Sequence, residues 1–308
     1  MGFEQVIGQD LIKKTLQRTL QQGQVAHAYL FSGAPGSGKK MLAQLFAQAL
    51  NCTSLTEAPC GFCLSCRKTT SGNHPNLVHL VPQGAALKIE QVRDIRESLH
   101  YRTGEGRFKV CFIHEADRLT LPAANSLLKI LEEPPGELVF ILLSSRPWAL
   151  LATVVSRCVH FSLKPLSADA IKGILQERFT LSPGEQEVVL EMAAGNPGQA
   201  VEMATRGGWT EKYQQVQDLV KEIEQGPGRQ LFSLAEEVSK RENLDETLDL
   251  LFMHYRERWL QCLPARGRET SRLENTCHAV LQTKEELGGN VNRRLALETL
   301  FLMMRGVV

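Results

Sequence analysis

Apolar and polar positions follow two different periods in the first half of the chain. Leu11, Ile12, Thr15, Leu16, Thr19 and Leu20 share one helical face, with Lys13, Lys14, Gln17 and Arg18 opposite and Asp10 placed to cap the start. Ala28 to Phe31 reads as a short strand, a glycine-rich turn follows, and Met41 to Leu50 reads as a helix. Further strands are expected at Leu77 to Val81, Val110 to Ile113, Leu138 to Leu143 and Val159 to Phe161. Between them Ile89, Val92, Ile95 and Leu99 align on a helix, and Ala123 to Glu133 forms another, stopped by Pro134 and Pro135. Strands alternating with helices predict a parallel sheet sandwiched by helices, an α/β fold. The period changes after Pro165. Ala168 to Phe179, Pro183 to Ala194 and Pro197 to Ala204 predict a three-helix unit, and Gly207 and Gly208 a joint. From there the chain reads as helical, ending in a helix from about Val291 to Arg305. The expected division is 1–164 for the sheet domain, 165–207 for a small helical domain and 208–308 for an all-α domain.

Composition narrows the classes. At 308 residues the chain suits two or three domains of roughly 100–200 residues. Its 35 basic and 34 acidic side chains give a net charge of +1, which shows no global nucleic-acid footprint. Aromatics at 6% argue against base stacking as a main mechanism. The longest apolar run, Leu138 to Leu143, suits a buried strand and is too short to span a bilayer. The first residues carry Glu4 and Asp10, without a basic-then-apolar leader, and Val6 stands where an acylation signal needs Ser or Thr. A cytoplasmic protein with reduced cysteines is expected.

Gly33-Ala-Pro-Gly36-Ser37-Gly38-Lys39-Lys40 fits the phosphate-loop spacing in a strand–turn–helix setting. Glycines let successive N–H groups converge on phosphate oxygens, the helix start adds partial positive charge, and Lys39 adds a full one. The next position should offer a hydroxyl to Mg²⁺ but is Lys40, whose ammonium has no lone pair. The strand ending Ile113-His114-Glu115 should end in aspartate before the glutamate. His114 stands there, and imidazole is a poor ligand for a hard cation. Two changes thus affect one ion. The expectation is ATP or ADP held without hydrolysis, with Lys40 partly replacing the metal's charge. The cysteines add a second chemistry. Cys52, Cys60, Cys63 and Cys66 give C-x7-C-x2-C-x2-C, a donor set suited to one closed, tetrahedral structural zinc. Cys111, Cys158, Cys262 and Cys277 read as isolated thiols, and His74 and His79 lie outside a filled ligand shell.

Several stretches resemble the AAA+ subunits of bacterial clamp loaders. They are His27-Ala-Tyr-Leu-Phe-Ser-Gly33 entering the loop, the four-cysteine insertion after the loop helix, the Ala124 to Pro135 stretch ending Leu131-Glu132-Glu133-Pro134-Pro135, Ser156-Arg157-Cys158, and Asn290 to Glu298. The resemblance implies an AAA+ phosphate-loop domain with its zinc insertion, a helical lid, and a helical collar that holds a hetero-pentamer together. It implies partnership with tau/gamma and delta subunits of the DNA polymerase III holoenzyme, and indirectly with the sliding clamp and primed DNA. It further implies that Arg157 is an arginine finger offered in trans to a neighbour's ATP, that Ser145 is a first sensor residue, and that Val6 and Ile7 touch adenine. The family has motor and non-motor subunits. Lys40, His114 and Gly198, which stands where motors carry a nucleotide-sensing arginine, side with the non-motor type, not catalytic alone. An active tau/gamma-type ATPase, and a zinc-containing DNA-binding module with a vestigial nucleotide fold, are the competing readings.

Overall fold

The computed structural model describes residues 2–54, 58–99, 106–134, 136–263, 267–289 and 291–306. Pro135 and Asn290 of the stretches above lie outside them. The chain divides into two compact units, residues 1–171 with 195–199, and residues 172–194 with 200–308.

The first unit is built on five parallel strands: β1 (Ala28–Ser32), β2 (Leu77–Leu80), β3 (Lys109–Ile113), β4 (Leu138–Ser144) and β5 (Val159–Ser162), in the order β2-β3-β4-β1-β5. Their register pairs Leu30 with Leu142 and His160, and Ile113 with Leu80 and Leu142. The helices are α1 (Asp10–Gln22), α2 (Lys39–Leu50), α3 (Leu64–Thr70), α4 (Ile89–Leu99), α5 (Leu121–Glu132) and the single turn α6 (Ala152–Val155). The period-2 rule sorts the strand side chains into two cores. Tyr29, Phe31, Phe112, Ile141 and Leu143 pack on α1 and α2, while Leu30, Cys111, Ile113, Phe140 and Leu142 pack on α4 and α5. Each such apolar side chain stabilises the fold by about 1.5–3 kcal/mol on full burial.

Three local expectations change. Asp10 is the first helical residue and pairs with Lys13 at 2.8 Å; Gln9, in a left-handed conformation, precedes it and exchanges side-chain hydrogen bonds with the Lys164 backbone. Of the apolar stripe on α1, Ile12 and Leu16 are buried but Leu11 is exposed. Helix α2 begins at Lys39, inside the loop motif, because the loop's last glycine serves as its cap. The short helices α3 and α6 have no clear period and escape a reading based on periodicity.

The second unit holds helices only, among the described residues. They are α8 (Pro183–Ala193), α10 (Trp209–Gln225), α11 (Gln230–Ser239), α12 (Leu244–Cys262), α13 (Arg268–Leu287) and α14 (Arg293–Arg305), together with most of α7 (Ala168–Arg178) and α9 (Pro197–Arg206). Leu248, Leu251, Tyr255, Val280, Leu297 and Phe301 fill its interior. Helix α8 starts with a capping box formed by Ser182 and Glu185, and Asn292 caps α14. Among the described residues no helix is long and apolar enough to cross a membrane.

Candidate functional site

Parallel strands end on one edge, so the loops that follow β1, β3 and β4 converge there. The phosphate loop, residues 33–40, follows β1. Gly36 and Gly38 take φ of +80° and +91°, a region side chains rarely enter, and this turns the loop into the start of α2. The Lys39 ammonium folds over the loop, donating to Gly33 O at 2.7 Å, Ala34 O at 2.8 Å and Ser145 Oγ at 3.3 Å. Burial pushes its pKa below the ordinary value, against the pull of the Asp117 carboxylate.

Asp117, not singled out by the sequence, organises this edge. It sits in a 3₁₀ turn after β3, with its side chain only 7% exposed. Its Oδ1 accepts from Ser144 Oγ at 2.8 Å and from the Ser145 backbone N–H at 3.1 Å, and its Oδ2 accepts from Arg146 Nε at 3.2 Å. Burial opposes its charge, yet these donors outweigh burial and hold the carboxyl below its usual range. An acidic residue four positions past the end of a strand was the available signal. Ser145 is thereby fixed against Lys39.

The two changed metal positions lie on this edge as well. His114 follows β3, its Nε2 3.0 Å from His79 Nδ1 on β2. Burial first, then His79 and Lys40, brings His114 down to about 4. Burial and Lys40 also lower His79. A neutral imidazole pair beside a lysine offers nitrogen donors and a positive charge, and such a set does not fit Mg²⁺. Of the residues expected near adenine, Val6 is buried and accepts Lys13 Nζ at its carbonyl at 2.9 Å, while Ile7 is partly exposed.

The segment at 195–199 pins the loop from above. Asn196 Nδ2 donates to Pro35 O at 2.6 Å, and Gly198 N donates to Gly36 O at 3.0 Å. A Cβ built on Gly198 would stand 2.6 Å from Gly36 Cα, so no side chain fits there without moving the loop.

The remaining candidates lie elsewhere in the unit. Arg157 precedes β5, at the edge where strands begin, opposite to the loop's edge. Its guanidinium donates to Thr153 O at 3.0 Å and to Glu132 Oε1 at 2.7 Å. Cys52, Cys60, Cys63 and Cys66 bring all four sulfurs within 4.8 Å of one another. A tetrahedral ion with Zn–S bonds of about 2.3 Å needs sulfurs roughly 3.8 Å apart, and Cys60 and Cys66 stand at 3.9 Å. Backbone N–H groups of Ser54, Cys60, Cys63 and Cys66 point at sulfur, each at 3.4 Å. Burial opposes ionisation of Cys63, but donors from Thr53 and Cys66 bring it down to about 6. The cluster fits a divalent thiophilic metal. His74 is not a ligand: its Nδ1 accepts from Asn76 N, and Nε2 meets Ser65 Oγ.

The family described as DNA polymerase III, delta subunit, matches residues 8–167. A "DNA polymerase III subunit delta'" of Bacillus subtilis (strain 168) is 30% identical over 318 residues, covering 96% of this chain and 96% of the relative. The tau subunit of that organism is 35% identical over 65% of this chain but 37% of its own length. The tau subunit of Escherichia coli (strain K12) is 39% identical over 56% of this chain and 27% of its own length. A solved gamma subunit-related protein from Thermotoga maritima matches 94% of this chain and 98% of its own with a TM-score of 0.51, at 18% identity, a likeness of fold alone.

Proposed function

The chain belongs to the DNA polymerase III delta-subunit family of clamp-loader proteins, and from that premise we propose that it is the non-motor, delta-prime-type subunit of a clamp loader. In this reading it assembles with tau/gamma and delta subunits through a collar at 208–308, beyond a lid at 165–207. It supports ATP-driven loading of a sliding clamp onto primed DNA. Its own phosphate loop, through Gly33, Gly36, Ser37, Gly38, Lys39 and Lys40, holds a nucleotide without turning it over. Zinc is the metal we assign to the four cysteines. It would supply a rigid crosslink and no catalysis, since thiolates fill the whole shell.

One observation carries this reading. Arg157 stands at the opposite sheet edge from the chain's own loop, so its charge is of no use to that loop and suits a triphosphate on another subunit. Guanidinium is permanently charged and planar, with several donors, which suits charge developing on phosphoryl oxygens. Similarity to a delta' relative over 96% of this chain, against 65% for a tau relative, supports the non-motor assignment. The test is Arg157→Ala in a reconstituted loader. ATP hydrolysis by the adjacent motor subunit is expected to fall by roughly 10³–10⁵ at that site, as for other arginine fingers. Unchanged hydrolysis there rejects the assignment.

A further inference from the structure

The stretch Leu131-Glu132-Glu133-Pro134 closes helix α5, and the proposed function gives its acidic residues no role. Helix α5 runs to Glu132, and Pro134 forbids its continuation. Because α5 starts at the loop edge of the sheet and returns to the opposite edge, its last residue arrives beside the turn that carries Arg157. There Glu132 Oε1 accepts from Arg157 Nη2 at 2.7 Å, while Thr153 O, one helical turn before the arginine, accepts from Nη1 at 3.0 Å.

We propose that Glu132 is a positioning residue for Arg157. The inference rests on the reading of Arg157 as a finger acting in trans. An arginine side chain carries about 2 kcal/mol of rotamer entropy. A finger that must be ordered at the moment of reaction bears that cost in the barrier. Here two acceptors on separate elements, one charged and one a helix carbonyl, define the plane of the fork in advance. The guanidinium has five N–H donors, and these two acceptors engage two of them, so the ion pair persists while the fork turns its other donors to phosphate. The side chains are 37% and 51% exposed. Ion pairs of that exposure contribute modestly, so Glu132 tunes the finger and does not hold the fold together.

The experiment uses the reconstituted loader with clamp and primed DNA, and reads kcat and KM for ATP separately. Glu132→Ala is expected to lower kcat at the neighbouring site roughly two- to fivefold, with KM and subunit stoichiometry unchanged. Glu132→Gln, which keeps an acceptor oxygen, falls between. Combined with Arg157→Ala, neither substitution changes the rate further. A wild-type or raised kcat in Glu132→Ala, alongside a large loss in Arg157→Ala, overturns the positioning role and leaves the finger intact. An equal loss from Glu132→Ala in the Arg157→Ala background overturns it too. No loss in Arg157→Ala alone rejects the finger itself.

Discussion

At the scale of single residues, Asp117 carries more of the site than its place in the sequence suggests. Three donors converge on one nearly buried carboxylate. Hydrogen bonds to a charged group contribute about 1.5–3 kcal/mol each, and an orphaned donor costs about 1–3 kcal/mol. Asp117→Ala is therefore expected to lower unfolding stability by about 2–4 kcal/mol, measured by denaturant titration with unchanged m-value. His114 sets a pH limit. Its folded pKa of about 4 lies below the ordinary 6.5, so the unfolded chain binds the extra proton first as pH falls. Stability is full above about pH 6.5, declines through the window, and stops declining from this source below about pH 4. A His114→Asn variant is expected to lose less melting temperature than the wild type between pH 7 and pH 4.5. The sequence made Lys39, Lys40 and His114 legible because a motif fixes what each position should hold. Asp117 and Glu132 were not legible as partners, since their partners lie 27 and 25 residues away and no local spacing encodes such meetings.

At the scale of elements, strong periodicity was readable and weak periodicity was not. The five strands and the long helices follow from apolar spacing, and Pro134 marks the end of α5 as expected. Helix α3 is different. Its seven residues contain one of the four cysteines, Cys66 in the first turn, and a second, Cys63, caps its start. Buried Gln48 on α2 reaches across to Cys66 O at 2.9 Å and Thr70 Oγ1 at 3.1 Å. So short a helix is marginal unless anchored, and the metal shell proposed for the four cysteines would supply the anchor that propensity does not. Chelation by a strong zinc-selective reagent is expected to release about one metal per chain and to lower helical signal and melting temperature together; Cys60→Ser is expected to reproduce the loss. Retained melting temperature with the metal removed would show that Gln48 and the apolar contacts suffice.

At the scale of the molecule, the switch in period near Pro165 marks the change from strands to helices, while the return of residues 195–199 to the first unit has no signal in the sequence. Nothing in Gly195-Asn196-Pro197-Gly198 announces that its backbone will seat on the phosphate loop. The full chain is expected to show no steady ATP turnover by itself, measured by phosphate release, and Lys39→Ala is expected to leave that baseline where it is. The Asn196 side-chain amide and the Gly198 N–H, with the carbonyls to which Lys39 donates, hold the shape of the phosphate loop. On the proposed non-motor reading, the consequence is a cradle whose contour stays constant while motor subunits change theirs, a datum against which their motion acquires direction.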